Sequence, residues 1–120
     1  MGRKLRVLFL TGGKCNELYP KVRKFFIDSG YKLLSEEKGS KLTFKAGSKL
    51  LTYAFGTWRW SRALRTLTVT FKHSKEGCGI ELFYDVSWLV GISSIYKAAR
   101  LELARFKKSL KAKQVLVSFK

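Results

Sequence analysis

The sequence predicts an α+β domain of two layers, an antiparallel-dominated sheet of four to six strands with two helices on one face. Three observations carry that expectation. Several stretches alternate apolar with polar residues, the period of strands that bury one face. Two other stretches repeat apolar residues every third or fourth position, as helices that bury one stripe do. One helical stretch lies near the start and the other toward the end, which gives the order β-α-β-β-β-β-α with room for a C-terminal strand.

The elements follow in order. Leu5-Arg6-Val7-Leu8-Phe9-Leu10 is nearly continuous in apolar residues, as a central strand should be, and Thr11-Gly12-Gly13 breaks it. From Glu17 to Ser29, the residues Leu18, Val22, Phe25 and Phe26 share one helical face, with Lys21, Arg23, Lys24 and Asp28 opposite. Pro20 lacks an N–H and is expected in the first turn of that helix, while Gly30 can take the left-handed conformation that ends it. Tyr31–Ser35 reads as a second strand, followed by a polar turn over Glu36–Ser40.

Leu42 and Phe44 alternate with Lys41, Thr43 and Lys45 in a third strand. After it, Ala46-Gly47-Ser48 fits either a hairpin turn or a bulge in one long strand running on through Leu51, Tyr53 and Phe55. Leu67, Val69 and Phe71 then alternate with Thr66, Thr68, Thr70 and Lys72. Across a turn at Ser74–Gly77, Ile80, Leu82, Tyr84, Val86 and Trp88 alternate with Glu81, Phe83, Asp85 and Ser87, so these two runs form an antiparallel hairpin. Gly91-Ile92-Ser93-Ser94 supplies a break and a serine N-cap. Ile95, Ala99, Leu103, Phe106 and Leu110 then form the apolar stripe of a second helix whose reverse side carries Lys97, Arg100, Lys107, Lys108 and Lys111. The tail Val115–Phe119 has strand propensity and either pairs with a sheet edge or frays.

This order is similar to that of a single repeat of the TATA-binding-protein fold and to the helix-grip folds, which hold apolar ligands between sheet and C-terminal helix. The likeness is one of topology over most of the chain. Topology implies the fold and leaves the function to be argued from residues.

At 120 residues and 13.8 kDa the chain is the size of one domain, residues 1–120, with 112–120 as its extra strand or frayed end. Twenty-five Lys and Arg against eight Asp and Glu give a formal charge of +17, which draws in nucleic acid, anionic lipid or an acidic protein. Cys15 and Cys78 stand far apart outside any CxxC or Cys/His cluster, so they read as reduced structural thiols, and neither a zinc site nor another cofactor is expected. Val7–Leu10 is too short for a signal-peptide core or a membrane span, which points to a cytoplasmic protein. Asn16 and Gln114 are the only side-chain amides, a scarcity that suits heat-adapted proteins.

No catalytic arrangement stands out. Gly12-Gly13-Lys14-Cys15 lacks the spacing of a Walker loop, since Leu8 and Cys15 stand where a Gly and a Ser or Thr belong. Cys15 beside Lys14 at a helix start would have its thiolate favoured, yet the single histidine, His73, lies far off in a charged turn. Glu81 and Asp85 are too far apart on one strand face to share a proton. A non-enzymatic binding domain is therefore expected.

Its partner is read from Lys38–Lys75, which holds nine Lys and Arg and no acid. Within it, Trp58-Arg59-Trp60-Ser61-Arg62 interleaves aromatics, which stack on bases, with guanidinium groups, which grip phosphates. The expected nucleic-acid or anion contacts are Lys41, Lys45, Lys49, Arg59, Arg62 and Arg65 on phosphates, with Trp58 and Trp60 stacking. Lys97, Arg100, Lys107, Lys108 and Lys111 form a second basic face. Two alternatives stand beside this: an apolar-ligand cavity lined by Tyr53, Phe55, Phe71, Tyr84 and Phe106, and a peripheral membrane or protein-interaction module built on the same loop and helix.

Overall fold

The structure, a computed structural model, describes residues 3–46, 65–75, 77–86, 92–111 and 113–119. Its elements are β1 (Arg3–Thr11), α1 (Cys15–Asp28), β2 (Lys32–Glu37), β3 (Lys41–Ala46), β4 (Arg65–Ser74), β5 (Gly77–Val86), α2 (Ile92–Leu110) and β6 (Lys113–Phe119). The six strands form one sheet in the order β2-β3-β4-β5-β1-β6, and every neighbouring pair is antiparallel. The result is the expected two-layer α+β architecture. The tail does not fray: its backbone pairs with β1, Leu5 opposite Phe119 and Val7 opposite Val117, with a bulge between Leu8 and Phe9.

Alternation decides which side of the sheet faces the helices. Leu5, Val7 and Phe9 of β1, Leu42 and Phe44 of β3, Leu67 and Val69 of β4, and Ile80, Leu82 and Tyr84 of β5 are fully buried. Against them lie Leu18, Val22 and Phe26 of α1 and Ala99, Leu103 and Phe106 of α2, so both helices cover the same face. The intervening residues Lys41, Thr43, Lys45, Thr66, Thr68, Thr70 and Lys72 are exposed or half-buried on the other face. A single apolar layer thus holds the fold, and it is rich in rings. Phe106 lies 5.1 Å from Phe9 and 5.4 Å from Phe26, and Phe26 lies 5.5 Å from Phe44, measured between centroids.

Two helix starts differ from the sequence expectation. Helix α1 begins at Cys15, ahead of Glu17, so Pro20 lies past the first turn. There it gives up the bond its N–H would otherwise make to the Asn16 carbonyl, a cost that the buried stripe Leu18, Val22 and Phe26 outweighs. Helix α2 begins at Ile92, so Ser93 and Ser94 are helical residues and do not cap it from outside. Gly30 ends α1 as expected, with φ of 96°, and the Tyr31 N–H returns to the Phe26 carbonyl at 3.0 Å. At the end of α2, Lys111 takes φ of 53° and turns the chain into β6.

The cysteines are the larger correction. Cys15 and Cys78 are not separate thiols but a disulfide, with Cα atoms 5.1 Å apart across 63 residues of sequence. It ties the first residue of α1 to β5 at Cys78, the residue that pairs with Thr11 of β1 in the sheet. Beside it the Thr11 hydroxyl donates to the Cys78 carbonyl at 3.2 Å. Gly77, with φ of 151°, passes so close that a Cβ there would sit 2.0 Å from the Thr11 carbonyl oxygen.

Candidate functional site

With few acids in the chain, their positions decide where positive charge is left uncompensated. Glu81 on the open sheet face lies 3.5 Å from Arg6 Nε and 3.2 Å from Lys72 Nζ. Glu36 at the edge of the sheet accepts the Tyr19 hydroxyl and lies 3.7 Å from Arg23 Nε. Glu102, the one acid of α2, is turned inward and only 3 % exposed. These three carboxylates thus lie in the sheet and in the core, while Glu17 and Asp28 are exposed near the two ends of α1.

The outward face of α2 has the opposite character. Arg100, Arg105, Lys107 and Lys108 are all exposed there, Lys111 is exposed just past the helix end, and the last turn places Lys107 and Lys108 where the helix dipole favours cations. Leu101, at 73 % exposure, and Ala104 form a shallow apolar strip between Arg105 and Lys108. Toward α1, an open groove of about 370 Å³ is lined by Lys21, Lys24, Phe25, Asp28, Arg105 and Ser109. Its one carboxylate, Asp28, faces three cations. The Arg105 guanidinium lies over the Phe25 ring, 5.8 Å from its centroid, which fixes part of that side chain against the layer.

Helix α2 holds this orientation through a buried polar cluster. The Tyr84 and Tyr31 hydroxyls both donate to Glu102 Oε2, at 2.7 and 2.9 Å. Arg65 Nε donates to the Tyr31 hydroxyl at 2.8 Å, and its Nη2 lies 4.0 Å from Glu102 Oε1. Four elements or their ends meet here: the exit of α1, the start of β4, β5 and α2. Burial, and then the Glu102 charge, push both phenols well above the ordinary tyrosine range.

Arg65 therefore corrects one expectation. It was placed on a phosphate, but it is 4 % exposed and paired inside the protein. As the first residue of β4 it shares the inward side of Leu67 and Val69, so alternation carries it into the core, where Glu102 compensates its charge.

The other expected contacts divide. Lys41 and Lys45 are exposed on the open face of the sheet, away from the helices. Arg100, Lys107 and Lys108 are exposed on α2, and Lys111 is exposed at the turn that follows it. Lys49, Trp58, Arg59, Trp60 and Arg62 lie outside the described residues, as does the choice between turn and bulge after Ala46; of Lys97 only the helical backbone is described. Lys21, Lys24 and Arg105 were not singled out by sequence reasoning as contacts. Their signal was there in the outward positions of two amphipathic helices, but only packing shows that those positions adjoin.

The remaining candidates take ordinary places. Cys15 is held in the disulfide and offers no thiolate. His73 is exposed, with Nε2 3.1 Å from the Gly39 carbonyl oxygen. The Gly12–Lys14 turn lines an open cavity of about 350 Å³ with His73 and Lys75. Among the described residues no three His, Cys, Asp or Glu come together to hold a metal. Where a helix-grip ligand would lie, Phe71, Tyr84 and Phe106 are buried in the hydrophobic core; Tyr53 and Phe55 fall outside the described residues. Among the described residues no helix is long and apolar enough to cross a membrane.

Comparison of the chain with protein-family models, with curated proteins and with solved structures gives no match.

Proposed function

We propose that this protein is a non-enzymatic domain that binds nucleic acid through the basic outer face of its helix layer. The observation that carries the reading is the segregation of charge. Arg100, Arg105, Lys107 and Lys108 are exposed on α2 and Lys111 just past its end, Lys21 and Lys24 of α1 line a groove with Arg105 and Asp28, and the acid of α2 is enclosed with Arg65. A surface of this kind neutralises phosphates and releases their counterions. The disulfide and the near absence of side-chain amides fit the interior of a heat-adapted cell, where intracellular disulfides persist and nucleic acid is the abundant polyanion.

The test is a titration with single- and double-stranded DNA and RNA at low salt, comparing Lys107→Glu/Lys108→Glu with Lys41→Glu/Lys45→Glu on the open sheet face. The helix-face pair is expected to weaken binding by roughly a hundredfold and the sheet-face pair by less than about tenfold, since the nearest phosphates dominate. No complex with any of the four polymers at low salt would end the proposal. If Trp58→Ala/Trp60→Ala abolishes binding while the helix-face pair leaves it intact, the site moves to the Trp58–Arg62 stretch. Binding to anionic vesicles without binding to nucleic acid would assign the face, with Leu101 at its centre, to a membrane surface.

A further inference from the structure

We infer that the partner of the helix layer is a double helix, held by its phosphate backbone without reading of base sequence; this rests on the nucleic-acid reading above. Three features of the layer point the same way.

The first is rigidity and spacing. At about 100° per residue, Arg100 and Lys107 fall within about 20° of one another around α2, and Lys108 lies within about 80° of Arg100. Along the axis the row from Arg100 to Lys108 spans about 12 Å at 1.5 Å per residue, close to the axial length of four phosphates on one strand of a duplex. The buried Tyr31, Tyr84, Arg65 and Glu102 cluster fixes the rotation of the helix, so the row is set before any partner arrives. A preformed row gains most from a backbone whose phosphates are themselves regularly placed.

The second feature is the lack of a stacking platform. Single strands are held largely by bases laid on exposed aromatic rings. Among the side chains described in the helix layer, Phe25, Phe26 and Phe106 turn inward. Phe25 is half-buried, edge-on to Phe26 at 5.0 Å and to Phe106 at 5.4 Å, and its remaining face lies under Arg105. Phe26 and Phe106 are fully buried.

The third is the shortage of base-reading groups. Adenine is read by Asn or Gln amides, and the whole chain has two, Asn16 and Gln114, neither of them on α2. Lysines, as point charges, position a backbone and carry little sequence information.

The experiment measures binding of the full chain to two mixed-sequence DNA duplexes of equal length and to each of their separated strands, over a range of salt concentrations. Each duplex is expected to bind about tenfold or more tighter than its strands, and the two duplexes within about threefold of each other. With seven cations in the layer, the slope of log affinity against log salt should lie near −4 to −6, and Lys107→Ala/Lys108→Ala should make it shallower by about 2. Both lysines are exposed, so circular dichroism of that variant should match the parent. If single strands bind as tightly as duplex, or the duplexes differ by about a hundredfold, the inference fails and the nucleic-acid reading survives. If neither form binds at low salt, both fail together.

Discussion

Glu102 has the least ordinary environment of any described side chain in the protein. A carboxylate with two tyrosine hydroxyls on one oxygen and a guanidinium 4.0 Å from the other is compensated, but only while all the partners stay in place. Glu102→Ala takes from Arg65 its buried counter-charge, and a loss of about 3–5 kcal/mol is expected in urea unfolding. Glu102→Gln keeps acceptor and volume and should lose less. A loss for Glu102→Ala below about 1 kcal/mol would show that the cluster does not hold α2.

Three phenols, two of them on Glu102, set the response to alkali. Tyr19 is pushed up to about 12, chiefly by burial and then by Glu36, while Tyr31 and Tyr84 are raised further by burial and Glu102. In the unfolded chain these phenols ionise near 10.0, so above that pH the unfolded state releases protons that the folded state retains. Stability from this source is complete below pH 10 and declines as pH rises beyond it. Thermal unfolding followed upward in pH should show the decline, and Tyr31→Phe should flatten it. An unchanged slope in that variant would refute the assignment.

At the scale of elements, the disulfide does what two separate thiols could not: it anchors the start of α1 to β5. A link across 63 residues removes enough unfolded-chain entropy to stabilise by about 4 kcal/mol. The urea midpoint of the reduced protein, or of Cys15→Ser/Cys78→Ser, should fall accordingly, and equal midpoints would refute the contribution. The pairing could not be read in the sequence, because a spacing of 63 fits no motif and contact depends on β1 lying beside β5. The helices were legible from their stripes, since Val22 and Phe26 or Leu103 and Phe106 must share a face. Their first turns were not: Pro20 and Ser94 both suggested later starts, and at α1 the burial of Leu18, Val22 and Phe26 overrode the local preference.

At the scale of the molecule, the two layers followed from periodicity alone. Period two marked Leu67 to Phe71 and Ile80 to Val86, and two helices flanking the central strands left one face to cover. The candidate site was legible only in part. Arg100, Lys107 and Lys108 could be grouped because they share one helix, but sequence places no acid in space. The count of +17 could not show that Glu102 is enclosed while Glu81 lies on the opposite side of the sheet. Arg65 continues the inward alternation of Leu67 and Val69, but its charge argues for the surface until the buried Glu102 of another element is known to compensate it.

The strand order also bears on the route by which the chain folds. Strands β2 to β5 pair with sequence neighbours apart from the longer β3–β4 connection, whereas β1 takes both its partners from far along the chain, Thr11 meeting Cys78 at a separation of 67 residues. Such pairings wait on a slow conformational search, and β1 is expected to dock late onto a preformed meander. In the oxidised chain Cys15 and Cys78 are already joined, four residues beyond the end of β1, so much of that search is over before folding begins. Stopped-flow refolding should therefore be faster from the oxidised unfolded chain than from the reduced one, and equal rates would mean that β1 docks after the rate-limiting step.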